Sequence, residues 1–234
     1  MATEAHGRKR LAALGLQRGF LYTLPETATD RLLDQALRIT VPAGVCLYRG
    51  DERPRVIVVL TGLLRVFLTS VEGRQVTIRY ARSGDIVGLM LALGGPVPMS
   101  IEALTTASVL ALRAETLRAL LASDALLARA CAQELSRQLQ HAFEDLAAQA
   151  FLPLRQRIIL QLLTLATPGQ GRHLVVHASH EELAETVASV REVVTRTLDQ
   201  LAREGLVDTE RDEIIVLDPA RLSQEVSRST DGGV

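Results

Sequence analysis

The sequence predicts an α+β chain: an N-terminal antiparallel β-roll, a long dimerisation helix and a C-terminal winged helix-turn-helix. Three observations lead there. Between Ile39 and Arg113, short runs rich in Val, Ile and Leu are broken by closely spaced turn signals, the pattern of a small antiparallel roll. From Ala114 to Ala150 apolar residues recur at spacings of three and four, the period of a helix. From Ser179 to Arg196 two short helical stripes flank the small-residue corner Ala188-Ser189, and a hairpin pattern follows.

The elements follow in order. Residues 1–38 form an N-terminal helical segment: Leu11, Leu14 and Leu16 share a face, and Pro25-Glu26 opens a helix whose Leu32, Leu33 and Leu37 pack inward. The roll occupies residues 39–120, with strands such as Val56–Leu60 and Leu63–Leu68 between turns at Pro42-Ala43-Gly44, Gly62, Glu72-Gly73 and Ser83-Gly84-Asp85. Residues 121–152 form the dimerisation helix and hinge. Ala128, Cys131, Leu135, Leu139, Ala142 and Leu146 line one seam, and Pro153 ends the helix. The seam fits pairing of two protomers or, alternatively, packing on the roll. Residues 153–222 hold the winged helix-turn-helix, and 223–234 are expected to fray as a flexible tail.

Composition narrows the function. The 234 residues carry a net charge of −1 and are 47% apolar, enough to bury real cores. No long uncharged apolar run spans a bilayer. Cys46 and Cys131 are the two cysteines, which argues against a disulfide scaffold and for a reducing, cytoplasmic setting. A metal-dependent enzyme built on the roll is excluded in its usual form, because Ile39–Arg113 contains no histidine. Asp51, Glu52, Glu72, Asp85 and Glu102 are its acids and read as turn and surface residues. His173, His177 and His180 do not converge as metal ligands, so no metal or other cofactor is expected.

The helix pair carries the chemistry. Ser179 with Glu182 forms a capping box, and Ser189 is expected to cap the second helix. Arginines at that helix's start, Arg191 and Arg196, can each give two hydrogen bonds to guanine O6 and N7, while Glu192 can accept from cytosine N4. The same residues also fit a surface helix pair, with Glu192 completing a second capping box onto Ser189. Charge counts against DNA: from Pro153 onward there are nine Arg, no Lys and thirteen Asp or Glu, so 9 − 13 = −4. A positive face would need Arg191, Arg196 and Arg203 on one side and the acids elsewhere.

The order of roll, long helix, hinge and winged helix-turn-helix resembles the Crp/Fnr superfamily of bacterial transcription regulators over nearly the whole chain. The spaced glycines Gly44, Gly50, Gly62, Gly73, Gly84-Asp85 and Gly88, and the junction Ala150-Phe151-Leu152 before Arg157-Ile158, look like the family's. The strongest match is Glu182-Leu183-Ala184 followed by Val190-Arg191-Glu192-Val193-Val194-Thr195-Arg196. The resemblance implies a homodimer reading a TGTGA-type half-site, with Arg191 and Arg196 on guanines and Glu192 on a cytosine. Ser179, His180, Ser189 and Thr195 would touch phosphates. It also implies RNA polymerase as a partner, through Thr167–Arg172 and Asp51–Arg55.

The effector site departs from the family pattern. Gly88 stands at the start of the phosphate cassette, but Leu89 replaces the ribose-binding glutamate, and Val97 and Pro98 replace the phosphate-binding arginine and its serine. Ala142 and Phe143 replace two hydroxyl residues that hold adenine. With Met90 these positions offer apolar surface and no cation, whereas a cyclic phosphate needs charge or several donors. Two cysteines are too few for an iron–sulfur sensor, and a haem sensor would need an axial histidine, for which only His6 and His141 lie in or near the sensor half. The expectation is a regulator that acts without cyclic AMP. An unidentified apolar ligand, a redox signal at Cys46 or Cys131, or a non-DNA-binding adaptor remain as alternatives.

Overall fold

The computed structural model describes residues 6–50, 55–73, 75–95, 97–169, 173–210 and 213–230. It divides into two compact units, residues 1–141 and 142–234. The first opens with helices α1 (His6–Ala13), α2 (Phe20–Thr23) and α3 (Glu26–Gln35). Strands β1 (Leu37–Val41), β2 (Cys46–Tyr48), β3 (Arg55–Thr61), β4 (Leu64–Thr69), β5 (Gln75–Ala81) and β6 (Ile86–Val87) follow. Helix α4 (Leu89–Gly94) interrupts them before β7 (Met99–Ala103) and β8 (Ala107–Arg113). Helices α5 (Ala114–Ser123) and α6 (Ala125–Phe151) come next, and α6 runs across the division between units.

Two four-stranded antiparallel sheets, ordered β1-β8-β3-β6 and β2-β7-β4-β5, make the roll. Strand β3 shows why its sequence, Arg55-Val-Ile-Val-Val-Leu-Thr61, is apolar without alternation. Ile57 and Val59 face the interior between the sheets, with Leu64, Val66, Ile101 and Val109. Val56, Val58 and Leu60 face the opposite way, into a core with Leu11, Leu16, Phe20, Leu32, Leu117, Leu127 and Cys131. A strand covered on both sides needs apolar residues at every step.

In its framework the structure differs from the sequence expectation at several places. Leu37 does not pack with Leu32 and Leu33; it starts β1 and is exposed. The helical stretch after Ala114 is two helices, because Asp124 takes an extended conformation and its carboxylate accepts from the backbone N–H of Leu126 and Leu127. That carboxylate caps the first turn of α6. The proposed seam is also divided. Cys131 is buried in the roll-side core and Leu135 packs against it, whereas Leu139 and Leu146 are exposed. Finally, residues 223–230 of the expected tail belong to a helix, and 231–234 lie outside the described residues.

In the second unit, α7 (Leu154–Leu165), β9 (Thr167–Pro168), β10 (Leu174–Val176), α8 (His180–Thr186) and α9 (Arg191–Arg203) precede the hairpin β11 (Val207–Glu210) and β12 (Glu213–Val216). The last helix, α10, covers Pro219–Thr230. Pro219 presets its first φ, the Asp218 side chain accepts from Arg221 N–H, and Leu222 is fully buried. Arg155 of α7 bonds both Glu225 of α10 and Glu204 at the end of α9, at 2.6 Å each. This shared guanidinium holds α10 in place, which the local sequence of the tail does not reveal. Strands β11-β12-β10-β9 form one antiparallel sheet, and the β11–β12 hairpin is the wing.

Candidate nucleic-acid interface

Helix α8 starts where Ser179 places it. The Ser179 Oγ accepts from Glu182 N–H at 3.2 Å, and Ser179 N–H donates to Glu182 Oε2 at 2.7 Å. Both arms of the capping box are therefore closed. The helix ends at a corner in which Ala188 has φ 51°, the sole non-glycine at positive φ among the described residues. Arg157 of α7 reaches the corner, its Nη1 donating to the Val187 carbonyl at 2.7 Å. A cation on the last carbonyls of α8 satisfies both the orphan acceptor and the helix dipole.

Holding an alanine in the left-handed region costs about 1 kcal/mol that glycine would not lose. Ala188→Gly should therefore raise the unfolding free energy of the winged unit by roughly that amount, read from denaturant midpoints. An unchanged or lower midpoint would contradict the corner geometry.

The second helix begins one residue later than expected. Its N-cap is Val190, with no side-chain cap bond, and helical residues start at Arg191. Ser189 lies within the corner, where its N–H donates to Ala184 O at 2.9 Å. The expected Ser189 cap and its box with Glu192 are not formed. Valine at this position gives up about 1 kcal/mol relative to serine.

Helix α9 separates its faces cleanly. Val194, Leu198 and Leu201 are completely buried. At 100° per residue, Glu192, Arg196, Asp199 and Arg203 fall on a stripe about 60° wide opposite them. All four are exposed, as is Arg191 in the first turn. Glu192 and Arg196 are thus on the solvent side of a helix anchored by its other face, and Arg191 is exposed at its N-terminal turn. The acids do not lie elsewhere, as a purely basic face requires: Glu192 and Asp199 share the stripe. Arg155 and Arg157 are engaged within the unit, and Arg172 and Arg211 lie outside the described residues.

His180 joins the two helices, its Nδ1 2.8 Å from Thr195 Oγ1. Burial, and then the nearby Arg191, push its pKa below the ordinary 6.5, with Asp199 acting the other way. Its protonation therefore favours the unfolded chain. The stability it contributes is complete above about pH 6.5 and declines as pH falls below that value. Melting curves across this range should show the decline in the wild type and a shallower one in His180→Gln; parallel profiles would remove His180 as the cause.

Among the described residues, those aligned with the effector cassette are divided between two cores and the surface. Gly88 takes φ 89°, and a Cβ there would lie 2.2 Å from the Arg55 carbonyl oxygen. The fold alone demands this glycine. Leu89 and Leu91 are fully buried, in the helix-side and inter-sheet cores respectively. Met90 and Pro98 are exposed, and Val97 packs against the inter-sheet core. The adjoining Ile86 carbonyl accepts from Arg79 Nη2 at 2.6 Å and from Gln138 Nε2 at 3.2 Å. Glu134, paired with Arg137, also receives the Gln138 amide, so α6 is pinned to β6. Ala142 and Phe143 are exposed on α6, and Phe143 falls on one face with Leu139 and Leu146.

Of the thiols, Cys131 is buried and pushed up to about 11 by burial and then Glu134. It stays protonated at neutral pH, which makes it a poor redox sensor. The Cys46 thiol donates a hydrogen bond to the Tyr48 carbonyl at 3.0 Å.

Comparison with known proteins bears on this arrangement. Residues 156–225 match the Crp-like helix-turn-helix domain, and residues 38–124 match the cyclic nucleotide-binding domain. The chain is 33% identical to transcriptional regulator LdrP of Thermus thermophilus, over 78% of this chain and 93% of that protein. This chain is a Crp/Fnr-family transcription regulator. A solved Crp/Fnr-family regulator from Thermus thermophilus superposes with a TM-score of 0.70 at 28% identity, covering 82% of this chain and 100% of that one. The cyclic AMP receptor protein of the same organism is 32% identical over 76% of this chain and 82% of its own length. These relatives are transcription regulators, and among the described residues no helix is long and apolar enough to cross a membrane.

Proposed function

We propose that this Crp/Fnr-family regulator binds a near-palindromic TGTGA-type operator as a homodimer, without cyclic AMP. One observation carries the reading: Arg191 is exposed in the first turn of α9, and Glu192 and Arg196 are exposed opposite its fully buried face of Val194, Leu198 and Leu201. A rigidly seated helix with a free polar N-terminal half is what major-groove reading requires. Arg191 and Arg196 would take guanines, Glu192 a cytosine, and Ser179, His180, Ser189 and Thr195 would contact phosphates and set register. RNA polymerase would be met through Thr167–Arg172 and Asp51–Arg55, of which residues 170–172 and 51–54 lie outside the described residues.

Pairing of two chains is supported by α6. Leu139, Phe143 and Leu146 are 55, 60 and 61% exposed at spacings of four and three, an apolar stripe that a second copy would cover. Dimerisation then brings two recognition helices to two half-sites.

Cyclic-AMP independence is supported by Leu89, buried in the core where a ribose-binding carboxylate would be needed, and by Val97 and Pro98 in place of a cation and hydroxyl. Calorimetric titration with cyclic AMP should give no binding heat up to millimolar concentration. A dissociation constant in the micromolar range would overturn this part. An apolar effector is a weaker alternative, because Leu89 and Leu91 would first have to leave the two cores.

A second reading, a signalling adaptor that uses the helix pair on protein, is favoured by Glu192 and Asp199 on the exposed stripe and by the −4 balance. A mobility shift with a TGTGA palindrome at two salt concentrations separates the two. A DNA-binding regulator retains the specific complex under competitor and loses affinity with salt; absence of any specific complex would favour the adaptor.

A further inference from the structure

Val190 departs from local rules without gaining anything inside the chain. It is the N-cap of α9, where Ser, Thr, Asp or Asn is preferred, and it makes no side-chain cap bond. Ser189, whose hydroxyl could have capped the helix, stands one position too early. The Val190 side chain is also 57% exposed, so core packing does not offset the missing cap. Single exposed apolar residues are ordinary on a surface. This one, however, sits at the tip of the recognition helix beside Arg191, the end that enters the groove in helix-turn-helix docking. Local rules broken with no internal return are expected where a side chain serves a partner.

We propose that Val190 is a specificity-determining residue that packs on a thymine methyl next to the guanine read by Arg191. The thymine C5-methyl is the apolar group that base pairs present in the major groove. A branched aliphatic side chain at the helix tip complements it, whereas the usual hydroxyl caps turn inward to the helix's own N–H groups. The TGTGA half-site places thymines on either side of its first guanine. This inference rests on the DNA-binding reading above.

The experiment starts from the half-site that the wild-type protein selects from random duplexes. Affinity is then measured for that operator with thymine and with uracil in the position beside the Arg191 guanine, a change that removes the methyl alone. Wild type should bind the uracil operator more weakly, by about four-fold per half-site for one lost methyl contact. Val190→Ser should bind both operators equally, and its melting temperature should match or exceed wild type because the cap is restored. Equal wild-type affinity for both operators, or the same thymine preference in Val190→Ser, would overturn the assignment. So would a selected half-site without a thymine beside that guanine. Recovery of no half-site would instead overturn the DNA-binding reading itself.

Discussion

Leu198→Ala should destabilise the C-terminal unit by about 2–5 kcal/mol, the range for deleting a leucine side chain from a closed core. Leu198 is fully buried and sits on the inner face of α9 with Val194 and Leu201. A unit of this size has roughly 5–14 kcal/mol of total stability, so this single truncation removes a large share of it. Its melting transition should fall by about 10–30 °C. Every residue of the exposed stripe is unchanged in this variant. DNA binding should consequently survive at low temperature and disappear on warming, well before that of the wild type. A melting shift below about 4 °C would mean that Leu198 is not anchored as described.

The second large effect concerns the exposed arginines of α9. Arg191→Ala and Arg196→Ala should each weaken operator binding by about 1–3 kcal/mol, or roughly 5–150-fold, and relax preference at one base pair per half-site. Both guanidinium groups are on exposed residues of a helix seated by its other face, so stability should stay within about 0.5 kcal/mol of wild type. Arg196→Lys divides charge from geometry. Lysine keeps the phosphate-directed charge and the salt dependence, but it lacks the two-pronged fit to guanine O6 and N7. Its affinity for scrambled DNA should match wild type while its preference for the operator falls. Equal loss on both kinds of duplex would reduce Arg196 to a phosphate contact.

Much of the architecture was legible because it rests on periodicity. The two-sided burial of β3 is written in an unbroken Val-Ile-Val-Val-Leu run, and the capping box at Ser179 is a local hydrogen-bond pattern. Helical spacing puts Val190, Val193, Val194, Thr197, Leu198 and Leu201 together, and of these Val194, Leu198 and Leu201 are fully buried whereas Val190 is exposed. The features that escaped depend on contacts distant in sequence. Helix α4 is only six residues long and lies among strands, so no period announces it. Helix α10 is held by Arg155, 70 positions away from its partner Glu225. The long seam divides at Leu135 and Leu139 because the roll covers the first part of α6, which spacing along one helix cannot reveal. Ser189 looked like a cap, yet the Ser189 N–H to Ala184 bond uses it to close the corner.

The effector region illustrates how a family-like residue can have a purely structural cause. Gly88 matches the cassette, but its positive φ and the 2.2 Å approach to the Arg55 carbonyl oxygen require glycine with or without a ligand. The sequence puts Leu89 on an apolar effector surface; in the structure it is buried in the helix-side core, and neighbouring Leu91 completes the inter-sheet core. A bound effector would have to compete with that packing.

The contact that decides operator recognition is guanidinium to guanine in the major groove, and methylation interference probes it directly. Methylating guanine N7 blocks the acceptor that Arg191 and Arg196 would use. Wild type should be excluded from operators methylated at two guanines in each half-site, and the two clusters should lie about one helical turn apart. Arg196→Ala should become indifferent to one guanine of each pair. Binding that tolerates every N7 methylation, or that is blocked solely by methylation at adenine N3 in the minor groove, would contradict the account.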